Sequence, residues 1–223
     1  MAQIVIFGAG DIARLAHIYF SRDSEHEVVA FTVDREYLPG GQGEEFRGLP
    51  LVGFDEVTRL YPPDRFQMFV ALSYNRMNRV RAAKYEAARG LGYRLVSYVS
   101  SRCTFLTDHP VGDNCFILED NTIQPEVRIG NDVTLWSGNH IGHDAVIEDH
   151  CFIASHVVVS GHVRIGSYCF IGVNVTLRNS IAIAPRTLLG AGAVILGDTV
   201  EGGVYVPQRA RLLENKTSDD IDL

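Results

Sequence analysis

The sequence predicts an α/β domain followed by an all-β parallel β-helix, and three observations carry the prediction. Isoleucine, leucine or valine stands at every sixth position from Val111 to Ile195, with no hexad skipped. The chain opens on a strand, a glycine turn and an amphipathic helix, and strands then alternate with helices up to residue 100. An unbroken period of six fits neither the roughly 3.6 residues of a helical turn nor a sheet that reverses at hairpins. It fits short strands that all run one way, coil upon coil.

The first element is the apolar run Ile4-Val5-Ile6-Phe7. Gly8-Ala9-Gly10-Asp11 follows, then a helix whose apolar side carries Leu15, Ala16, Ile18, Tyr19 and Phe20. Glycine lets the backbone turn tightly and approach a ligand, and the amides and dipole of a helix N-terminus favour phosphate. A second strand, Val28 to Val33, ends at Asp34, whose carboxylate is suited to hydrogen bonds from a ribose or base. Leu38 to Arg47, rich in glycine and acid, reads as a mobile surface loop. Leu49 to Gly53 leads into a short helix capped by Asp55. Phe66 to Leu72 is the next strand, and the helix after Ser73-Tyr74-Asn75 stops at Gly90. Tyr93 to Val99 is the last strand. Residues 1–100 thus read as a small Rossmann-like domain with its ligand at the C-terminal strand ends, where Gly8, Gly10, Asp11, Asp34, Ser73, Tyr74 and Asn75 gather.

Residues 101–203 are assigned to the β-helix and 204–223 to a C-terminal extension. The fourth residue after each leading aliphatic is mostly small or β-branched and reads as a second inward position. Cys115, Cys151 and Cys169 take it, which makes them core residues; Cys103 stands alone, and no C-x-x-C pair suggests metal or redox work. His140, His143, His150, His156 and His162 crowd four consecutive hexads, none at a leading or fourth position. They read as turn or outward residues gathered for chemistry rather than packing.

Gly138-Asn139-His140-Ile141-Gly142-His143-Asp144-Ala145-Val146-Ile147, Gly161-His162-Val163-Arg164-Ile165-Gly166 and Leu189-Gly190-Ala191-Gly192 resemble the hexapeptide-repeat acyltransferases. Within these the chain is similar to the branch acting on sugars, which includes sialic-acid O-acetyltransferases and N-acetyltransferases of nucleotide-linked 4-amino sugars. The resemblance implies a left-handed β-helix with three hexads per coil. It also implies a homotrimer with active sites between subunits and acetyl-CoA lying along the coils. His143-Asp144 matches the branch's His-Glu or His-Asp pair, with His143 as general base and Asp144 fixing its tautomer. Gly161 matches a backbone amide facing the thioester oxygen. Three hexads per coil stack His143 on Gly161, His162 beside Asp144, and His156 between Gly138 and Asn174. The resemblance also points to Gly190, Pro207 and Arg209 for acetyl-CoA, with Arg211 beyond, and leaves His140, His156 and His162 as candidates for the sugar pocket. Trp136 reads as an outward aromatic packed on a neighbouring subunit. Two features depart from the family: Gly8-Ala9-Gly10-Asp11-Ile12 replaces a common Gly-Ala-Ser-Gly-His turn, and Asp144 stands where some relatives have glutamate.

A formal charge of −7 without basic clusters argues against nucleic acid or an anionic membrane as partner. No run reaches membrane-spanning length and the N-terminus lacks signal-peptide features, so the cytoplasm is the expected compartment. The expected activity is acetyl-CoA-dependent N-acetylation of a nucleotide-activated amino sugar for a bacterial surface glycan. O-acetylation of a sugar hydroxyl would use the same residues. A γ-type carbonic anhydrase needs paired histidine ligands five residues apart, a spacing no two histidines here show, so no metal is expected. A dinucleotide-dependent oxidoreductase would leave the β-helix without a task, and a structural trimeric scaffold is the non-enzyme alternative.

Overall fold

The computed structural model describes residues 2–38, 40, 44–208, 210, 212, 214 and 217. In the front domain, β1 (Gln3–Phe7), β2 (Glu27–Val33), β3 (Glu45–Phe46), β4 (Leu49–Gly53) and β5 (Gln67–Val70) form one sheet in the order β3-β4-β2-β1-β5, parallel except for β3. Helices α1 (Asp11–Arg22), α2 (Val57–Leu60) and α3 (Arg79–Gly90) complete it. Along β1, Ile4 and Ile6 enter one apolar cluster and Val5 and Phe7 the other. Burial on both faces is why the strand is a continuous apolar run rather than an alternating one.

Three local expectations change. Asp55 does not cap α2; its carboxylate pairs with Arg35 at 2.8 Å, and Glu56 precedes the helix without a side-chain cap. Within Leu38 to Arg47, residues 39 and 41–43 lie outside the described residues, while Glu45–Phe46 pairs antiparallel with Leu49–Pro50 as an edge ribbon. Tyr93 to Val99 is not one strand. Leu95 bridges Met68 beside β5, but Tyr98–Val99 pairs with Phe116–Ile117 and belongs to the coils.

Parallel pairs such as Thr134↔Phe152 and His140↔Val158 put residues 18 apart in register, so three hexads make a coil. The left-handed β-helix is a three-faced prism. A docked face runs from Tyr98–Val99 to Val204–Tyr205, an open face from Thr104–Phe105 to Val194–Ile195, and a third face from Arg128–Ile129 to Ala182–Ile183. Leading aliphatics from Ile117 to Ile195 and fourth positions from Cys115 to Thr199 are buried. Each fully buried aliphatic contributes roughly 1.5–3 kcal/mol, so the beat is the core. It begins earlier than Val111: Val99 and Phe105 pack against the same core, and Cys103 is the fourth residue of the Val99 hexad, its thiol pushed up to about 11 by burial. The last coil is shorter, since Leu188 pairs with Val204.

Each corner turns on one left-handed residue. Asn114, Asp120, Glu126 and Asp132 begin a series of positive φ angles that recurs every six residues to Gly192. Asparagine, aspartate and histidine tolerate this conformation best among residues with a Cβ. His150, His156 and His162 occupy three successive turns of the series, at φ 62°, 59° and 59°. Turn geometry therefore accounts for three of the five crowded histidines, which fall on three different corners.

The front domain clamps onto the docked face. Val70 N–H donates to Asn114 Oδ1 (2.7 Å) and Asn114 Nδ2 to Val70 O (3.2 Å), so a coil side chain completes the hydrogen bonding of β5. Arg81, 2% exposed, donates from Nε to Asp132 Oδ1 (3.0 Å) and from Nη2 to the carbonyls of Asp132 and Cys151. Asp23, beyond α1, accepts from Tyr98 Oη (2.6 Å) and Ser101 N–H (2.9 Å); bonds from Ser101 and Tyr98 pull its carboxyl down to about 2. No described helix is long and apolar enough to cross a membrane.

Candidate active site

At the corner between the open and third faces, Asp144 takes the left-handed turn position (φ 58°) and His143 precedes it. His143 Nδ1 lies 2.8 Å from Asp144 Oδ2, and the His143 backbone N–H donates to Gln124 Oε1 at 2.8 Å. The hydrogen bond from His143 holds the Asp144 carboxyl below the usual carboxylate range. An ionised carboxylate can only accept, so the proton of the neutral imidazole sits on Nδ1 and the lone pair of that form on Nε2. That lone pair lies over Gly161, where an added Cβ would come within 2.6 Å of Nε2. No hydrogen bond among the described residues uses the Gly161 N–H. His162 takes the next turn of the same corner, its Nε2 3.9 Å from Asp144 Oδ2 and its ring edge-on to His143 at 4.9 Å. The three side chains are 55%, 44% and 57% exposed, which suits a site on an open surface. Their ligand atoms lie within 4.8 Å of one another, close enough to hold a cation. The arrangement can accept a proton from a ligand, stabilise the resulting imidazolium, and offer a backbone donor beside it.

A second site opens at the C-terminal ends of β1 and β2, a cavity of about 880 Å³ lined by Gly8, Gly10, Asp34, Tyr37, Asn75, Arg76 and Lys84 among others. At φ +125°, Gly8 sits where a Cβ would meet Ala71 O at 2.8 Å, so no other residue fits this turn. No side chain caps α1, which leaves its first amides free for an anion. Asp34 is already engaged: Lys84 Nζ lies 2.6 Å from Oδ1 while its ammonium sits over the rings of Phe7 (5.4 Å) and Phe54 (5.5 Å). One Asp34 oxygen remains for a ligand. Sequence reasoning missed Lys84 and Arg76. Local spacing could not find Lys84, because only tertiary packing brings α3 against the end of β2.

The other sequence-predicted residues separate. Asp11 is exposed and lies 3.7 Å from Arg14 rather than lining the cavity. Ser73 does not line it either, and Tyr74 turns the other way, onto Phe152 and Phe170 of the docked face. Trp136 is half-buried, packed on Phe152 and on the apolar cluster shared by the front domain and the first coils. His140 lies half-buried on the open face. His156 belongs to the corner between the docked and open faces, with Nδ1 over Gly138. His150 is buried at the remaining corner, its Nδ1 2.9 Å from Asp132 Oδ2, and is a packing residue. Gly190 lies on the docked face with its amide bonded to Tyr205 O at 2.7 Å; Pro207 lies against it. That is between two and three coils from His143, about 12 Å along the axis. Arg209 and Arg211 lie outside the described residues.

Residues 126–161 match the family described as bacterial transferase hexapeptide (six repeats). A search of curated proteins gave no match. Among solved structures, the chain is similar to the acetyltransferase domain of PglB from Neisseria gonorrhoeae, at 20% identity and TM-score 0.80 over 96% of this chain and 100% of that one. It is also similar to a mutant perosamine N-acetyltransferase from Caulobacter crescentus in complex with CoA and GDP-perosamine, at 21% identity and TM-score 0.80 over 93% and 94%. WeeI from Acinetobacter baumannii aligns at 18% identity and TM-score 0.77 over 96% and 100%. The chain therefore carries the hexapeptide repeat of bacterial transferases and shares its fold, front domain included, with these three proteins.

Proposed function

We propose that this chain is an acetyltransferase that moves the acetyl group of acetyl-CoA to the amino group of a nucleotide-linked amino sugar, in the assembly of a bacterial surface glycan. The observation that carries the reading is His143: Nδ1 anchored on Asp144, Nε2 free, and Gly161 beneath it without a side chain. The sugar amine attacks the thioester carbonyl carbon while His143 Nε2 takes the amine proton. The tetrahedral oxyanion accepts a hydrogen bond from the Gly161 N–H. Collapse breaks the C–S bond, and the proton on His143 leaves with the CoA thiolate. No acyl-enzyme forms, because positioning alone brings nucleophile and thioester together.

In this reading residues 1–100 hold the nucleotide at Gly8, Gly10, Asp34, Asn75 and Arg76, residues 101–203 supply the chemistry, and residues 204–223 approach the CoA. Gly190 and Pro207 lie far from His143 in one chain, which favours a homotrimer in which neighbouring copies complete each site. His162 flanks Asp144 at the same corner, and His143, Asp144 and His162 act as polar groups of the acetyl-transfer site rather than as metal ligands. Release of free thiol from acetyl-CoA in the presence of a panel of amino-sugar nucleotides tests the proposal, with and without EDTA. Thiol release that survives EDTA and disappears in His143→Ala is expected. No release with any sugar, or an unchanged His143→Ala, would refute it.

A further inference from the structure

We infer that a second cavity on the docked face receives the pendant sugar of the nucleotide ligand, with Tyr74 as its specificity-determining contact; this rests on the nucleotide-sugar reading above. Tyr74, Asn75 and Arg76 are consecutive, yet Asn75 and Arg76 line the nucleotide cavity while Tyr74 lines a separate cavity of about 370 Å³ with Trp136, Phe152, Ser155 and Phe170. Neighbouring Cα atoms are about 3.8 Å apart, so the two cavities lie to either side of one short backbone segment.

The segment is held in that posture. Arg76, Met77 and Asn78 run consecutively at φ 51°, 54° and 62°, a left-handed stretch that side chains avoid unless the surroundings enforce it. Asn78 enforces it here: its N–H donates to Tyr74 O (3.1 Å) and its Nδ2 to Cys169 O of the coil (3.0 Å). The Tyr74 ring, 49% exposed, is thereby set against Phe152 (4.9 Å) and Phe170 (4.7 Å), which stack on each other at 5.8 Å and 15°.

A wall of rings with a serine hydroxyl at its edge matches a pyranose, whose C–H face packs on aromatics while its hydroxyls stay at the rim. A bare nucleotide ends at the phosphates near Gly8 and Arg76. Its sugar-bearing form extends one ring further, past Asn75 and onto Tyr74.

Trp136, the one tryptophan in the sequence, lines this cavity and reports on it. The test is to titrate the protein with UDP, GDP and dTDP and then with UDP-N-acetylglucosamine, GDP-mannose and dTDP-glucose, reading heat and Trp136 emission. The preferred bare nucleotide binds without altering emission. Its sugar-bearing form shifts emission and binds about tenfold tighter. Tyr74→Ala removes the tenfold gain and leaves the Kd of the bare nucleotide unchanged, whereas Tyr74→Phe keeps the gain. Equal affinities for the two forms, an unmoved Trp136, or equal weakening of both by Tyr74→Ala would overturn the inference while leaving nucleotide binding intact. Failure of every nucleotide to bind would overturn the reading on which it rests as well. Emission that responds to protein dilution instead of ligand would assign the cavity to a second copy of the chain and overturn the inference.

Discussion

The prism holds two histidine–aspartate pairs of nearly the same length, and their surroundings give them opposite duties. His143 Nδ1 and Asp144 lie 2.8 Å apart with side chains 55% and 44% exposed; His150 Nδ1 and Asp132 lie 2.9 Å apart at 9% and 0%. At the buried corner Arg81 takes the other Asp132 oxygen, and Tyr85 and Tyr168 cover the His150 ring. At the open corner no hydrogen bond among the described residues uses His143 Nε2, which lies over the α-carbon of Gly161. A hydrogen-bonded histidine–carboxylate pair is therefore no evidence of catalysis. The free second nitrogen, with room before it, is the distinguishing feature.

The comparison breaks first on substitution of the two histidines. His143→Ala lowers the acetyl-transfer kcat by about 10²–10⁴-fold and leaves the melting temperature unchanged, whereas His150→Ala lowers the melting temperature and spares kcat. Steady-state thiol release and thermal unfolding on the same preparations decide it; the reverse pattern would exchange the two roles. Arg81→Ala leaves Asp132 buried without its cation and costs about 3–5 kcal/mol, read as a lower urea midpoint, because the front domain loses its central tie to the coils.

Gly161→Ala is subtler. The new methyl displaces the His143 ring without touching the buried corner, so kcat falls by about 10²-fold at unaltered stability. If kcat stays at the wild-type value, Nε2 does not work where it is seen. The smallest effect concerns pH. Burial lowers the pKa of His17, with Arg47 adding to it, and burial likewise lowers that of His26. The unfolded chain then binds protons that the fold resists, so stability is full above the ordinary histidine value of 6.5 and is lost as pH falls below it. Melting temperatures between neutral and mildly acid pH are expected to fall, and to fall less in His17→Phe. An unchanged slope would show that the site is not desolvated.

Much of the fold was legible because the hexad period is a local repeat that depends on the backbone alone. Every coil must place an aliphatic inward, a small residue four positions later and a left-handed residue at the corner, and a period of six satisfies all three. The stacking of His143, Asp144, Gly161 and His162 was legible once the family resemblance supplied three hexads per coil, since a step of 18 turns sequence distance into spatial distance. What was not legible has the opposite cause. The burial of His150 and the aromatic contacts of Tyr74 and Trp136 depend on where the front domain sits, and docking is set by side-chain complementarity between segments far apart in sequence, such as Arg81 with Asp132.

The sequence by itself determined the coil, its interior and the column that carries His143, because each follows from repeated short-range constraints. Only the tertiary structure decided which corner would be dry and which open, that Lys84 would claim half of Asp34, and that Tyr74 would face the coil while Asn75 faces the nucleotide cavity. Burial and pairing at those places arise where two independently folded surfaces meet, and no period within either surface encodes the meeting.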